Sequence, residues 1–480
     1  MRYSLIFVVL ALLGVAPASA QTDDARVAEI IERLTNAYGG DALTELQSVS
    51  IVSYRRLAWP GQGQTAGFVE YERDRLRKHF DLVNEHGSVE RWTHQNGNAY
   101  HNRFVVNADG ATALDYFEMS ATPSERGGFW QWFNTDFRST DTLLAYRIAT
   151  GSLEIEYLGT EEYRGVVHDK IALEVSPETQ RAIVYISRAD GLIHRLTMMR
   201  EIGEVNLLFA EHRMVGGVRH ASEFYIYLGD TLTEFDTAIT FVPNVDVQAS
   251  LVVGDGFSQP AENVEQSEMT VEQVGEGVFM VGREDYGLFV LDGDGVISVN
   301  AYAGLKDRYE AFTEHLGRDV PLKGLIVTHH HSDHMDAVGE AIELGATLHL
   351  TNESHKTLQS TRDDMDEISL DILTADDRVG PLSIYVRGTS HASENAFVYH
   401  SGAKALFQDD HYHGLVADGP SRVQPSALEM YRIIVGLGLD VDYVLSGHAR
   451  KAERWDDFAA AANGPNAGDP CPSEREICRL

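Results

Sequence analysis

THHHSDHMDAVGE, residues 328–340, is the stretch on which the reading of this 480-residue chain turns. It places His329, His331, Asp333 and His334 in the pattern His-x-His-x-Asp-His. Side chains two apart on an extended segment point the same way, so His329 and His331 can clasp one ion. Asp333 and His334, where the chain turns towards the next helix, can reach a second. Imidazole nitrogen combined with carboxylate oxygen suits zinc and related divalent ions. His330 points opposite its neighbours and reads as structural.

Immediately upstream, Gly324, Leu325, Ile326 and Val327 are apolar on both faces, as a central buried strand should be. The motif therefore begins at a strand end, where such folds keep their chemistry. Three further candidate ligands flank β-like segments. His391 lies in GTSHASENAFVYH (388–400), before a predicted strand at 396–399. Asp410 closes AKALFQDD (403–410), and His448 lies in VDYVLSGHAR (441–450), after a predicted strand at 441–445. Ligands remote in sequence can converge in this way. Strands alternate with helical stretches at 305–316 and 335–344, which reads as an α/β layer arrangement.

This set of residues is similar to the metallo-β-lactamase superfamily, over roughly residues 269–450. The resemblance implies an αββα sandwich of two mixed sheets with outer helices, holding two divalent metal ions, zinc in the first instance. The first ion would take His329, His331 and His391. The second would take Asp333, His334 and His448, with Asp410 bridging. The residue before the bridging acid is often Gly in relatives and here is Asp409, which leaves Asp409 as the alternative bridge. Asn300 stands where many relatives have Asp and is expected to support a ligand at most. Zinc β-lactamases commonly place Cys or Ser where Asp410 falls. A carboxylate there looks more like hydroxyacylglutathione hydrolases, lactonases and processing nucleases. Relatives that use iron for electron transfer usually carry Glu in place of His331, so redox chemistry is disfavoured.

The implied reaction is hydrolysis of an ester, thioester, lactone or amide in a small-molecule substrate, by a hydroxide shared between the two ions. Asp333 belongs to that catalytic group. Tyr412 is a candidate proton donor in a lactonase-like reading, and packing within its loop is the alternative; the same choice applies to His411 and His413. His194, His212 and His220 lack ligand spacing and read as ordinary residues.

Outside this region the texture changes. Arg2, an apolar run from Leu5 to Val15 and the small-x-small triplet Ala18-Ser19-Ala20 read as a signal peptide over 1–20. A mature chain starting near Gln21 would be periplasmic or secreted, and no other stretch is long and apolar enough to span a bilayer. After a helix signalled by Val27, Ile30, Ile31 and Leu34, residues up to 253 read as mostly β. Short segments rich in β-branched and aromatic residues are separated by turns such as Asp190-Gly191, Gly216-Gly217 and Gly229-Asp230, which suggests one large antiparallel sheet. The rhythm of YLGTEEYRGVVHDKIALEV (157–175), VYISRADGLIHRLTM (184–198) and EHRMVGGVRHASEFYIY (211–227) resembles the half-barrels of periplasmic lipoprotein carriers. That resemblance implies a concave apolar surface able to hold an acyl chain. It supplies the competing function, a lipid or apolar-ligand carrier with a non-catalytic metal domain. A β-sandwich or meander that only packs against the second half is the plainer reading.

Residues 254–268 read as a linker, and 451–480 as a C-terminal helix and tail. Acidic residues outnumber basic ones by 73 to 39, for a formal charge of −34, and such a surface repels phosphate backbones. Nucleic acid is therefore not an expected partner. Cys471 and Cys478 are the only cysteines. In an oxidising compartment they are expected to form a local disulfide that pins the tail alone, far in sequence from any metal ligand.

Overall fold

The helical spacing at the N-terminus gives the helix Asp23–Tyr38, whose buried face is Ile30, Leu34 and Tyr38. The computed structural model describes residues 23–117, 119–124, 128–174, 181–257, 268–414, 423–449, 451–464 and 467–468. The expected signal peptide and the Cys471/Cys478 pair lie outside the described residues. No described helix is long and apolar enough to cross a membrane.

Thirteen strands, from Ser48–Trp59 to Thr231–Pro243, form one antiparallel sheet. Its first strand pairs with its last, and Ser120–Ser124 and Ile155–Tyr163 form the two edges. The strand Glu70–Asp81 shows why the sheet has a distinct inner face: Glu72, Asp74, Leu76, Lys78 and Phe80 alternate inward and are buried. The region is mostly β as expected, and across residues 129–149 three short helices that the sequence reading did not mark cover part of that face. Phe129, Phe133 and Phe137 recur every fourth residue, one face of a helix, and pack on Phe80 with ring centroids 6.0, 5.1 and 5.3 Å away. Beside them the inner face keeps a cavity of about 790 Å3, walled by Leu76, Val89, Phe104, Phe224 and Ile226 and also lined by charged side chains such as Lys78, Arg91, Arg138 and Arg200.

After Thr270 two smaller sheets take over. Seven strands run from Thr270–Gly275 to Leu370–Ile372, and six from Asp376–Val379 to Glu453–Arg454. Val278, Leu288, Val299 and Ile326 of the first sheet meet Ile384, Val398, Phe407 and Leu445 of the second in one core. On the outer face of the first sheet, Phe279, Phe289 and Leu348 pack with Phe312 of the helix Leu305–Leu316. On the outer face of the second, Phe397 and Leu406 pack with Met430, Ile434 and Phe458. Helices Pro425–Leu437 and Trp455–Ala462 supply these last three. This half is thus layered helix, sheet, sheet, helix. The helix expected over 335–344 is shortened to Val338–Glu343, because residues 332–334 form a tight turn first.

The two sheets present their chemistry at matching edges. Gly295–Val299 and Leu322–Ile326 pair in parallel, as do Ala405–Phe407 and Tyr443–Leu445. Parallel pairing puts both C-terminal ends of each pair on the same side. Residues 300, 327–334, 408–410 and 446–448 therefore all emerge together.

Candidate metal centre

At that edge, one nitrogen each from His329, His331 and His391 and an oxygen of Asp410 lie within 4.8 Å of one another. A second group, His334, Asp410 and His448, meets the same limit. Asp410 belongs to both: Oδ2 lies 3.0 Å from His391 Nε2 and 3.4 Å from His329 Nε2, while Oδ1 lies 3.0 Å from His448 Nε2. His334 Nε2 lies 3.0 Å from both carboxylate oxygens. Six of the seven residues singled out by sequence are thus gathered into these two groups. The seventh, Asp333, stands beside them: its Oδ2 is 3.4 Å from His334 Nε2, and its Oδ1 accepts a hydrogen bond from Gln62 at 2.7 Å.

Asp409, the alternative bridge, takes a different position. Its Oδ2 lies 2.8 Å from His334 Nδ1, the ring nitrogen facing away from Asp410. Asn300 approaches the same nitrogen at 3.1 Å, from a backbone held in the left-handed region at φ 80°. Both side chains orient His334 from behind, consistent with the supporting role expected of Asn300. Gly447 makes this crowding possible. A side chain there would strike Asp409 and come within 2.7 Å of the Tyr302 ring and 2.8 Å of Asn300.

Tyr412 is a correction. Its ring is 1% exposed and packs edge-on against Phe458, and its hydroxyl donates to Glu453 at 3.2 Å. An aromatic ring two residues beyond Asp410 is taken up by the outer helical core and faces away from the cluster. The tyrosine at the cluster is Tyr302, which the sequence reading did not single out. Its hydroxyl lies 2.7 Å from His448 Nε2, 3.0 Å from Asp409 and 3.4 Å from Asp410. The available signal was its place just after a strand end, beside Asn300. His330 belongs to neither ligand group, and its Nε2 meets Gly63 C=O at 2.8 Å. His411 is held by Thr389 at 2.9 Å, and His413 stacks on His448 at 4.9 Å.

Burial governs the charges here. It pushes His329 well below the usual imidazole range and His331 down to about 2. Burial opposes protonation of His334 and His448 too. Asp410 and Asp409 outweigh it at His334 and raise it well above normal, and Asp285 and Asp410 raise His448 to about 10. Burial likewise opposes ionisation of Asp410, yet His334, His329 and His391 together hold it well below the usual carboxylate range. Asp409 moves the other way: burial, joined by repulsion from Asp410, outweighs His334 and raises it. Burial and the two aspartates hold the Tyr302 proton far above its ordinary range.

These residues fit a divalent cation. The donor set is imidazole and carboxylate, the combination zinc accepts. His331 Nδ1 is buried without a hydrogen-bond partner while its Nε2 faces a carbonyl. The buried carboxylates attract protons onto His334 and His448, and a cation would replace that positive charge.

No family model matches the chain, and no curated protein does. Solved structures do. TMB-1, solved in a study of two residues in its substrate and inhibitor binding, aligns with a TM-score of 0.33 and 17% identity, over 40% of this chain and 95% of its own. A metallo-beta-lactamase from Hirschia baltica gives 0.33 and 17%, over 41% and 97%. FIM-1 from Pseudomonas aeruginosa, in a mono-zinc form, gives 0.32 and 18%, over 41% and 95%. Over about two fifths of its length, the chain resembles metallo-beta-lactamases.

Proposed function

We propose that this protein is an exported, metal-dependent hydrolase that opens an ester, thioester, lactone or amide bond in a small molecule. The observation that carries this reading is a single buried carboxylate, Asp410, shared by two converging groups of imidazoles. His329, His331, His391 and Asp410 would hold one divalent ion, and His334, His448 and Asp410, with Asp333, a second. Zinc suits both. Such ions supply Lewis acidity, polarising a carbonyl oxygen and acidifying water. Asp409 and Asn300 keep His334 aimed at Asp410. Tyr302 remains protonated at neutral pH and can donate a hydrogen bond at the centre of the second group.

Metal analysis joined to a hydrolysis screen spanning lactones, thioesters, β-lactams and phosphodiesters tests this. Two equivalents of metal are expected, with turnover of a carbonyl substrate that chelation removes. His331→Ala should abolish that turnover while the N-terminal half stays folded. Full activity in that variant defeats the proposal.

The cavity of about 790 Å3 favours a second reading, in which the N-terminal half binds an apolar ligand. Protein purified without detergent should then yield an amphiphile on solvent extraction, and Val89→Trp should reduce the amount. A co-purifying lipid with no metal-dependent turnover across the panel would favour a carrier over a hydrolase. A clean extract, with no uptake of a fluorescent fatty acid, removes the second reading.

A further inference from the structure

The metal-site loops are not finished by their own half of the chain. Two turns of the large antiparallel sheet lie against them: residues 60–69, between strands Ser48–Trp59 and Glu70–Asp81, and Asn96-Gly97, between His86–Gln95 and Asn98–Asn107. Backbone groups lock the two surfaces together. Gly61 C=O accepts from Ser332 N–H at 3.0 Å, and Gln64 C=O accepts from Ser393 N–H at 2.7 Å. Glu353 accepts from Ala66 N–H at 2.8 Å.

Three contacts reach the candidate ligands themselves. Gly63 C=O lies 3.2 Å from His331 Nε2, Asn96 C=O lies 3.2 Å from His391 Nδ1, and Gln62 Nε2 donates to Asp333 Oδ1 at 2.7 Å. A carbonyl only accepts, so each imidazole must carry its proton on the nitrogen facing that carbonyl. His331 then presents Nδ1 as a bare lone pair, and that atom is the buried one without a partner. His391 presents Nε2, which lies 3.1 Å from His329 Nε2 and 3.0 Å from Asp410. Gln62 occupies one oxygen of Asp333 and leaves the other, Oδ2, on the His334 side.

We propose that the N-terminal half is part of the metal site: Gly63 and Asn96 fix the tautomers of His331 and His391, and Gln62 is a positioning residue for Asp333. The inference rests on the metal reading proposed above. Outer contacts of this kind set ligand orientation and are worth about 10- to 100-fold in metal affinity.

Two variants test it. Gln62→Ala removes the donor to Asp333. Gly97→Ala places a methyl group against Ser390, from a backbone at φ 79°, and so moves the turn that carries the Asn96 carbonyl. Zinc affinity is read by competition with a chromophoric chelator, ligand geometry by the visible absorption of the Co2+-loaded protein, and folding by thermal unfolding without metal. Each variant should weaken zinc binding about 10-fold and shift the Co2+ spectrum, with the metal-free unfolding temperature unchanged for Gln62→Ala. Wild-type affinity and an unaltered Co2+ spectrum in Gln62→Ala overturn the proposal, whether or not Gly97→Ala folds. If the wild-type protein itself binds no metal, the hydrolase reading falls and this inference with it. If the wild type binds two equivalents and both variants match it, only this inference falls.

Discussion

Asp410→Ala should leave the protein unable to hold a pair of metal ions, with hydrolysis reduced by about 10³-fold, the upper end of what losing one electrostatic group costs. The reason is that the two ligand groups overlap at this one carboxylate. Without it, His329, His331 and His391 form a three-imidazole set with no anionic partner, and His334 and His448 keep only Asp333 as an anionic co-ligand. Asp409→Ala makes the natural comparison. That carboxylate meets the far nitrogen of His334 and hydrogen-bonds Tyr302, so its loss should leave metal bound, more weakly by about 10- to 100-fold. Metal content after gel filtration, read beside turnover, separates the two. Two retained equivalents in Asp410→Ala, or an Asp409→Ala protein that alone loses both, would reverse the assignment of the bridging acid.

The candidate metal centre was legible because its information is local. His-x-His-x-Asp-His needs only an extended segment followed by a turn, and the structure supplies both in residues 328–334. His391, Asp410 and His448 could be placed because each neighbours a short apolar segment, and parallel pairing brings those segment ends to one edge. Between proton donor and packing, Tyr412 could not be assigned from sequence, because proximity to Asp410 says nothing about which side of the sheet a ring will enter. Its hydrophobic surface is satisfied by Phe458 rather than by the cluster. The two helices within 129–138 were missed because aromatic residues also favour strands, and segments of four or five residues give helical periodicity little room to show. Gln62, Gly63 and Asn96 gave no signal at all. Their contacts to residues more than 250 positions away depend on how two separately patterned surfaces meet, and no spacing rule encodes that.

The N-terminal half should depend on a different aspartate, and Asp141→Ala should destabilise it by about 3–5 kcal/mol, the cost of removing one member of a buried charged network. Asp141 is 1% exposed. It accepts from Tyr38 Oη at 2.8 Å and from Ala221 N–H at 3.0 Å, and His212 Nε2 lies 3.0 Å from it. These partners come from the first helix and two neighbouring strands, so a single carboxylate ties three elements. Alanine would leave the Tyr38 hydroxyl proton and the Ala221 amide without their acceptor in the core, although the hydroxyl oxygen would still accept from Ile193 N–H. Burial opposes ionisation of Asp141, but His212, the Ala221 amide and Tyr38 outweigh it and hold the carboxyl below its usual range. A depressed folded pKa means the unfolded chain binds the proton more readily. The contribution is therefore present above the unfolded value, near pH 4, and fades as pH falls through the folded one. Asp141→Asn, which keeps the shape and discards the charge, should be less stable than wild type at pH 7 and converge on it under acid. Urea unfolding at pH 7 and pH 3 reads both effects, and a gap that stays constant across that range would mean the charge at Asp141 contributes nothing to holding the helix on the sheet.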